Sequence, residues 1–215
     1  MKTPILAVAA LSGTLVLGAC ADTGMEPTPF DAEFAQDRRG PEPQRAPAPS
    51  DKTIAEIAEE KGFTLLLAAV DYIAADNPSS SLIAGLLNND QYTVFAPTDV
   101  AFVNLVTTLD GAFDDFDPSD PFTSIDALLG EGTVEAVVSY HVTEGRRAAN
   151  SVLPRNNERT IETLLEDANF SVDKDGKITA VGNTAQIILG LANTSASNGI
   201  VHPIDAVILP IDLGL

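Results

Sequence analysis

TVFAPTDVAF, Thr93 to Phe102, is the stretch on which the fold of this 215-residue chain turns. With Tyr92 ahead of it, the first half is β-branched, aromatic and apolar without alternation, the pattern of a strand covered on both faces. Pro97 breaks that strand, because it has no backbone N–H to give to a ladder. Thr98 or Asp99 then caps a helix running to about Leu109, since either side chain can accept an N–H of the first turn. A buried strand, a break and a capped helix within so few residues imply a sheet with helices packed on it.

The same signals extend outward in both directions. Upstream, Thr53-Ile54-Ala55-Glu56 fits a capping box, Ile54, Ile57 and Ala58 form an apolar stripe, and Gly62 ends that helix. Leu65, Leu66, Ala69, Val70 and Ile73 recur at helical spacing after Thr64, and Asn77-Pro78 stops them. Leu82 to Leu87 is a further short helix. Downstream, Ser124 opens a helix to Leu129, and Thr133 opens another that carries Val134, Val137, Val138 and His141 and ends at Gly145. Residues after Arg146 read as strands. Asn169–Val172 and Lys177–Val181 flank Asp175-Gly176, which suits a type I′ hairpin turn. Ala185 to Ala192 leans toward β, and Asn198-Gly199 turns the chain into a last strand, Ile200 to Leu209. Pro203 removes one ladder donor, so that strand is expected at an edge or bulged there. No internal repeat occurs.

Two more stretches stand out: VVSYHVTEG (Val137 to Gly145) and NGIVHPIDAVILP (Asn198 to Pro210). In this order and spacing, the three closely resemble the two signature boxes and central Tyr-His pair of the fasciclin (FAS1) family. With the helical lead-in from Thr53 the resemblance covers about three quarters of the chain. It implies an α+β fold over residues 52–215, a fasciclin-like β-wedge or compact sandwich with packed helices. It also implies a non-catalytic module for adhesion or for matrix and surface interaction. The alternative is a carrier of an apolar small ligand such as a carotenoid, which some fasciclin-like proteins bind; a purely structural envelope protein is a third possibility. The chain departs from the family at Asp99, where Asn is usual, and at Pro203, where a β-branched residue is common.

Composition narrows the function. Acids outnumber bases 31 to 12, for a net charge of -19, and hydrophobic residues make up 45%. Such a charge repels phosphate backbones and anionic headgroups, so no nucleic-acid partner is expected. Two His and no Trp leave a thin catalytic inventory. No nucleophile elbow, phosphate loop, dinucleotide fingerprint or H-E-x-x-H occurs, so neither enzyme activity nor a cofactor is expected.

Three groups of residues are candidates for binding. Tyr140-His141 matches a segment that the resemblance associates with integrin binding in animal relatives. Val137, Val138 and Val142 surround it, which favours a structural role at a helix end. Arg146 and Arg147, with Arg155 and Arg159, could meet an acidic glycan or carboxylate partner, or could pair with the chain's own surplus acids. Asp115, Asp117, Ser119 and Asp126 occupy positions 1, 3, 5 and 12 of a calcium-loop template. Asp120 stands where that template needs Gly, and Asp126 is shorter than the usual Glu, so no metal site is expected in the acidic loop 111–126.

The N-terminus assigns a compartment. Lys2 precedes an apolar run, Ile5 to Leu17, which is shorter than the ~20 residues of a spanning helix and reads as a signal-peptide core. Leu17-Gly18-Ala19-Cys20 resembles the bacterial lipobox, and Cys20 is the single cysteine. Residues 1–19 are then a lipoprotein signal peptide. Residues 20–51 form a Pro-rich disordered tether on a lipidated Cys20. The expected location is a bacterial envelope, with the outer membrane or periplasmic face favoured because Ala21 is not the Asp that retains some lipoproteins in the inner membrane. The expected partners are the membrane, through the lipid, and a surface protein or polysaccharide. Intact mass of membrane-extracted protein is expected to show a mature N-terminus at Cys20 carrying diacylglycerol. Cys20→Ala should lose both that mass and partition into detergent; unmodified wild type in the aqueous phase would remove the anchor.

Overall fold

The computed structural model describes residues 47–87 and 90–214. Cys20, the expected signal peptide and all but the end of the expected tether lie outside the described residues. Three helices open the fold: α1 (Ile54–Lys61), α2 (Thr64–Asp76) and α3 (Ser81–Leu87). The capping box of α1 is complete, and Gly62 takes the left-handed conformation at φ 78° that ends it. Strand β1 (Tyr92–Pro97) leads into α4 (Asp99–Ala112), followed by α5 (Pro121–Leu129), α6 (Thr133–Tyr140), β2 (Val142–Glu144) and the one-turn α7 (Ala149–Val152). Strands β3 (Arg159–Glu162), β4 (Asn169–Val172), β5 (Lys177–Thr179), β6 (Thr184–Gln186), β7 (Thr194–Ala196) and β8 (Gly199–Ile204) complete the chain. The fold class is α+β.

The strands form two four-stranded sheets, one ordered β2-β1-β8-β7 and the other β3-β4-β5-β6. At the centre of the first, β1 and β8 run parallel, with Tyr92 opposite Gly199 and Pro97 opposite Ile204. Alternation along β1 assigns its faces. Val94 and Ala96 join the core formed with the helices. Phe95 joins the core formed with the second sheet, where it meets Phe170 edge-on at 5.0 Å. The first sheet therefore lies between helices and second sheet, which explains why both its central strands are buried along their length beyond Tyr92.

Several boundaries differ from expectation, each for a tertiary reason. The helix carrying Tyr140 ends there and not at Gly145, because Val142–Glu144 pairs with β1. A turn of helix, α7, precedes the expected strands; its first N–H, from Ala149, is accepted at 2.6 Å by Asn193, far along the chain. Helix α5 opens at Pro121 and not at Ser124, with proline in the first turn where its missing N–H costs nothing. The Asp175-Gly176 turn is not type I′, since Gly176 has positive φ and Asp175 does not. Asp173 N–H bonds to Lys177 O and Gly176 N–H to Asp173 O, a three-residue loop with a glycine bulge.

Strand β8 is internal, so the expectation of an edge strand is corrected. Tyr92 N–H bonds to Asn198 O and Thr98 N–H to Ile204 O, which turns the even-numbered residues of β8 toward β1. The Pro203 nitrogen thus faces the β7 side, where pairing has already ended at Thr194–Val201. The strand also stops at Ile204, short of Leu209. Beyond it isolated backbone bonds, Asp205 N–H to Gln186 O and Gly182 N–H to Leu209 O, are joined by side chains: Asn183 bonds Val207 O and Leu209 N–H, and His141 accepts Ile208 N–H.

Thr98 caps α4, accepting Ala101 N–H at 3.3 Å. Asp99 caps a different helix. Its carboxylate accepts Leu65 N–H at 3.0 Å and Thr64 Oγ1–H at 2.5 Å, at the start of α2. Gly199 marks the closest approach of the central strands. A Cβ there would lie 2.1 Å from Tyr92 O and 2.8 Å from Ile54 Cδ1. Gly199→Ala is expected to lower the denaturant midpoint by an amount equivalent to about 1–3 kcal/mol, as overpacking does. Gly111→Ala, which meets open space on α4, should be neutral or better; equal effects from the two would contradict this packing.

Candidate functional site

The Tyr140-His141 pair lies inside the protein. Tyr140 is 0% exposed and donates its hydroxyl to Asn169 O at 2.7 Å, tying α6 to the second sheet. His141 is 2% exposed. Its Nδ1 lies 2.7 Å from Val137 O, and its Nε2 accepts Ile208 N–H at 3.0 Å. The first contact needs Nδ1 protonated and the second needs Nε2 bare, so the ring is the neutral Nδ1–H tautomer. Burial pushes its pKa down to about 4, against the pull of the Val137 carbonyl.

His202 repeats the arrangement on β8. It is 0% exposed, Nε2 lies 2.9 Å from Arg147 O, and the ring stacks on Phe95 at 5.6 Å. Burial lowers its pKa as well. Neither histidine is placed to meet a partner at the surface; each cross-links backbone that lacks a ladder neighbour.

Arg146 and Arg147 sit side by side in the loop after β2. The half-buried Arg146 guanidinium donates to Ala196 O at 2.8 Å, Gly199 O at 2.7 Å, Pro47 O at 3.2 Å and Ser195 Oγ. Ser195 in turn donates to Ala48 O, and Ser197 N–H to Lys52 O. Residues 47–51, assigned to the tether on sequence, are thus held at the β7–β8 turn. Arg147 is half-buried and donates Nε–H to Glu144 O at 3.2 Å, while its N–H bonds Thr93 Oγ1 at 2.7 Å. Arg159 donates to Ser151 O, and Arg155 is exposed. Pairing of these arginines with surplus acids is corrected: among the described residues the ion pairs are Lys52–Glu60 and Lys174–Asp175, both exposed. The arginines bond carbonyls instead.

The acidic residues serve as acceptors within the fold. Asp117 takes Ser119 N–H and Oγ–H, whereas Asp126 takes Tyr72 O–H at 3.1 Å and Val134 N–H at 2.9 Å, helping to cap α6. Asp117 and Asp126 are spent on separate bonds and do not converge. Among the described residues no group of His, Cys, Asp or Glu is arranged to hold a metal ion.

One feature escaped sequence reasoning. Between α1, α2, α3 and the first sheet lies a cavity of about 420 Å³, walled by Ala58, Leu66, Val70, Ile83, Val94 and Val142 among others. His141 and Asn198 border it, and Asp71 stands exposed beside it. The only trace in the sequence is small residues, Ala55, Ala58 and Ala74, on helix faces that otherwise carry large ones.

Fold and site together define an α+β module built on a parallel strand pair and two buried neutral histidines, with an apolar chamber under its helices. The fasciclin domain profile matches residues 61–210, and the chain belongs to the fasciclin domain family. It is 32% identical to protein sll1483 of Synechocystis sp., over 98% of this chain and 99% of that one. It is 33% identical to immunogenic protein MPB70 of Mycobacterium bovis, over 62% of this chain and 57% of that one. Fasciclin-like arabinogalactan protein 12 of Arabidopsis thaliana is 26% identical over 79% of this chain and 64% of its own. Among solved structures the chain is similar to a FAS1 domain pair from the insect cell adhesion molecule Fasciclin I, with TM-score 0.40, 16% identity and coverage of 69% of this chain and 46% of that one. Among the described residues no helix is long and apolar enough to cross a membrane.

The histidines carry a pH dependence of stability. His141 binds its proton near pH 6.5 when unfolded and only near pH 4 when folded, so the unfolded state binds more protons between these values. Stability is then full above about pH 6.5 and falls as pH drops through that window, by up to about 3 kcal/mol for a shift of this size. His202 acts in the same direction. Urea midpoints from pH 7 to 4 are expected to fall for wild type and to fall less steeply for His141→Gln. His141→Ala should cost about 1–3 kcal/mol at pH 7, because Ile208 N–H loses its acceptor. Parallel pH profiles for wild type and His141→Gln would remove His141 as the titrating group.

Proposed function

We propose that this chain is a non-catalytic, lipid-anchored envelope module that binds a surface protein or polysaccharide. What supports this most is the family membership of its folded part, among relatives that include an arabinogalactan protein. The side chains agree with it: both histidines have both ring nitrogens engaged within the fold, which leaves neither as a general base in the native state. In this reading Tyr140, His141 and Arg146 position the contact surface, and Arg147 with the exposed Arg155 touches the partner. The lipid on Cys20 would hold the module at the membrane.

The apolar chamber favours one second function, carriage of an apolar small ligand. Capture from envelope fractions separates the two. Full chain is expected to retain a saturable partner, and Arg147→Glu with Arg155→Glu should weaken retention at least tenfold without moving the melting temperature. Retention unchanged by the double variant would displace the contact from this surface; no saturable partner in any envelope fraction would leave the carrier.

A further inference from the structure

We propose that the chamber beneath α1, α2 and α3 is a ligand site for an uncharged apolar molecule and that it rejects the anionic counterpart of the same molecule. The proposal rests on the carrier reading and adds the chemical class of the cargo.

Size comes first. The cavity measures about 420 Å³, within the roughly 300–1,000 Å³ of ordinary ligand pockets and well above the ~150 Å³ of an engineered apolar cavity that holds benzene. Its walls come from four helices, α1, α2, α3 and α6, and from strands β1 and β2, so no single truncated side chain accounts for it.

Most polar atoms at its border are already engaged. Thr53 Oγ1 is bound within the capping box to Glu56. Asn198 Oδ1 accepts Ile54 N–H at 2.8 Å. His141 uses both ring nitrogens on backbone. What remains to meet a guest is chiefly the apolar wall, with the Asn198 amide and Asp71 at its border, and water gains few partners there.

Charge settles the rest. Among the described residues that line the chamber there is no Lys or Arg, and Asp71 is the one carboxylate. His141 stays neutral above about pH 4 and supplies no cation. A carboxylate or sulfonate would shed its hydration without finding a counter-ion. It would also approach past Asp71, on a chain of net charge -19. An uncharged molecule meets neither obstacle.

Two probes with one scaffold isolate that difference. N-phenyl-1-naphthylamine is neutral, and 8-anilinonaphthalene-1-sulfonate adds a sulfonate to the same rings. Each is titrated into the full chain carrying Cys20→Ala, purified without detergent. The neutral probe is expected to show blue-shifted emission saturating at one per chain, and the sulfonate to bind at least tenfold more weakly. Ala58→Phe, which fills the chamber, should weaken the neutral probe at least tenfold while circular dichroism and melting stay native. Leu67→Phe serves the same purpose should Ala58→Phe fail to fold. Asp71→Lys should narrow the gap between the probes. No saturable binding of the neutral probe, or binding untouched by the filling variants, would overturn the proposal and the carrier reading with it. Equal affinities, both abolished by filling, would keep the carrier reading and overturn the charge selectivity.

Discussion

Everything in this domain leans on one parallel strand pair, β1 against β8. The two strands are far apart in sequence, and a parallel pair cannot be closed by a hairpin. The connection instead takes in four helices, β2 and the whole second sheet. Helices pack on one face of the pair and the second sheet on the other. Gly199 permits the approach of the strands at their start, and Pro203 sits at their end, where the far neighbour has stopped. The signature stretches around Thr93 and Asn198 are the two halves of this pair, which is why sequences so short identify so large a fold.

A buried parallel pair leaves polar groups to be answered wherever the ladder ends. Here imidazoles answer them. His141 closes the gap beyond β8 by accepting Ile208 N–H, and His202 ties the loop after β2 to β8 through Arg147 O. Neutral imidazole suits this, since it donates on one side and accepts on the other without bringing a charge into the core. Arg146 does related work at the rim, where a half-buried guanidinium satisfies carbonyls from both strands of the β7–β8 hairpin and from residue 47. The surplus acids complete the pattern. Asp99 and Asp126 accept backbone N–H groups at the starts of α2 and α6, favourable places for negative charge. A chain with few cations thus places carboxylates against helix N-termini.

Legibility in the sequence follows the range of the forces involved. The capping box at Thr53, the stop at Gly62, the α2 stripe and the strand–proline–helix run at Thr93 are local patterns, and the structure carries each of them. The hydrophobic surroundings of His141 were legible as a structural setting, though its partner Ile208 was not. What stayed hidden was set by distant residues: Asn193 capping α7, Asp99 capping α2 and not its own helix, and Asn183 ending the last strand early. The type I′ expectation failed for a local reason. An Asp-Gly pair fits two turn types, and the Asp173 side chain selects the longer loop by accepting the N–H groups of Asp175 and Lys177.

The chamber was the least legible feature, because a void has no residue of its own. Ala58 on α1 and Ala74 on α2 are ordinary helix formers, and nothing local distinguishes an alanine that fills a tight contact from one that borders open space. The space comes from how α1 is held. The Asn198 side chain fixes its first N–H, Gly62 turns it back toward α2, and Lys52 is bound at the β7–β8 turn. The first and last of these are directional bonds at the N-terminal end of the helix, and they hold that end at the β7–β8 turn. A purely hydrophobic attachment would let α1 settle until the gap closed, since close packing is what apolar contact rewards. The hydrogen bonds that fix the N-terminal end of α1 thus hold it over a space that apolar contact alone would tend to close.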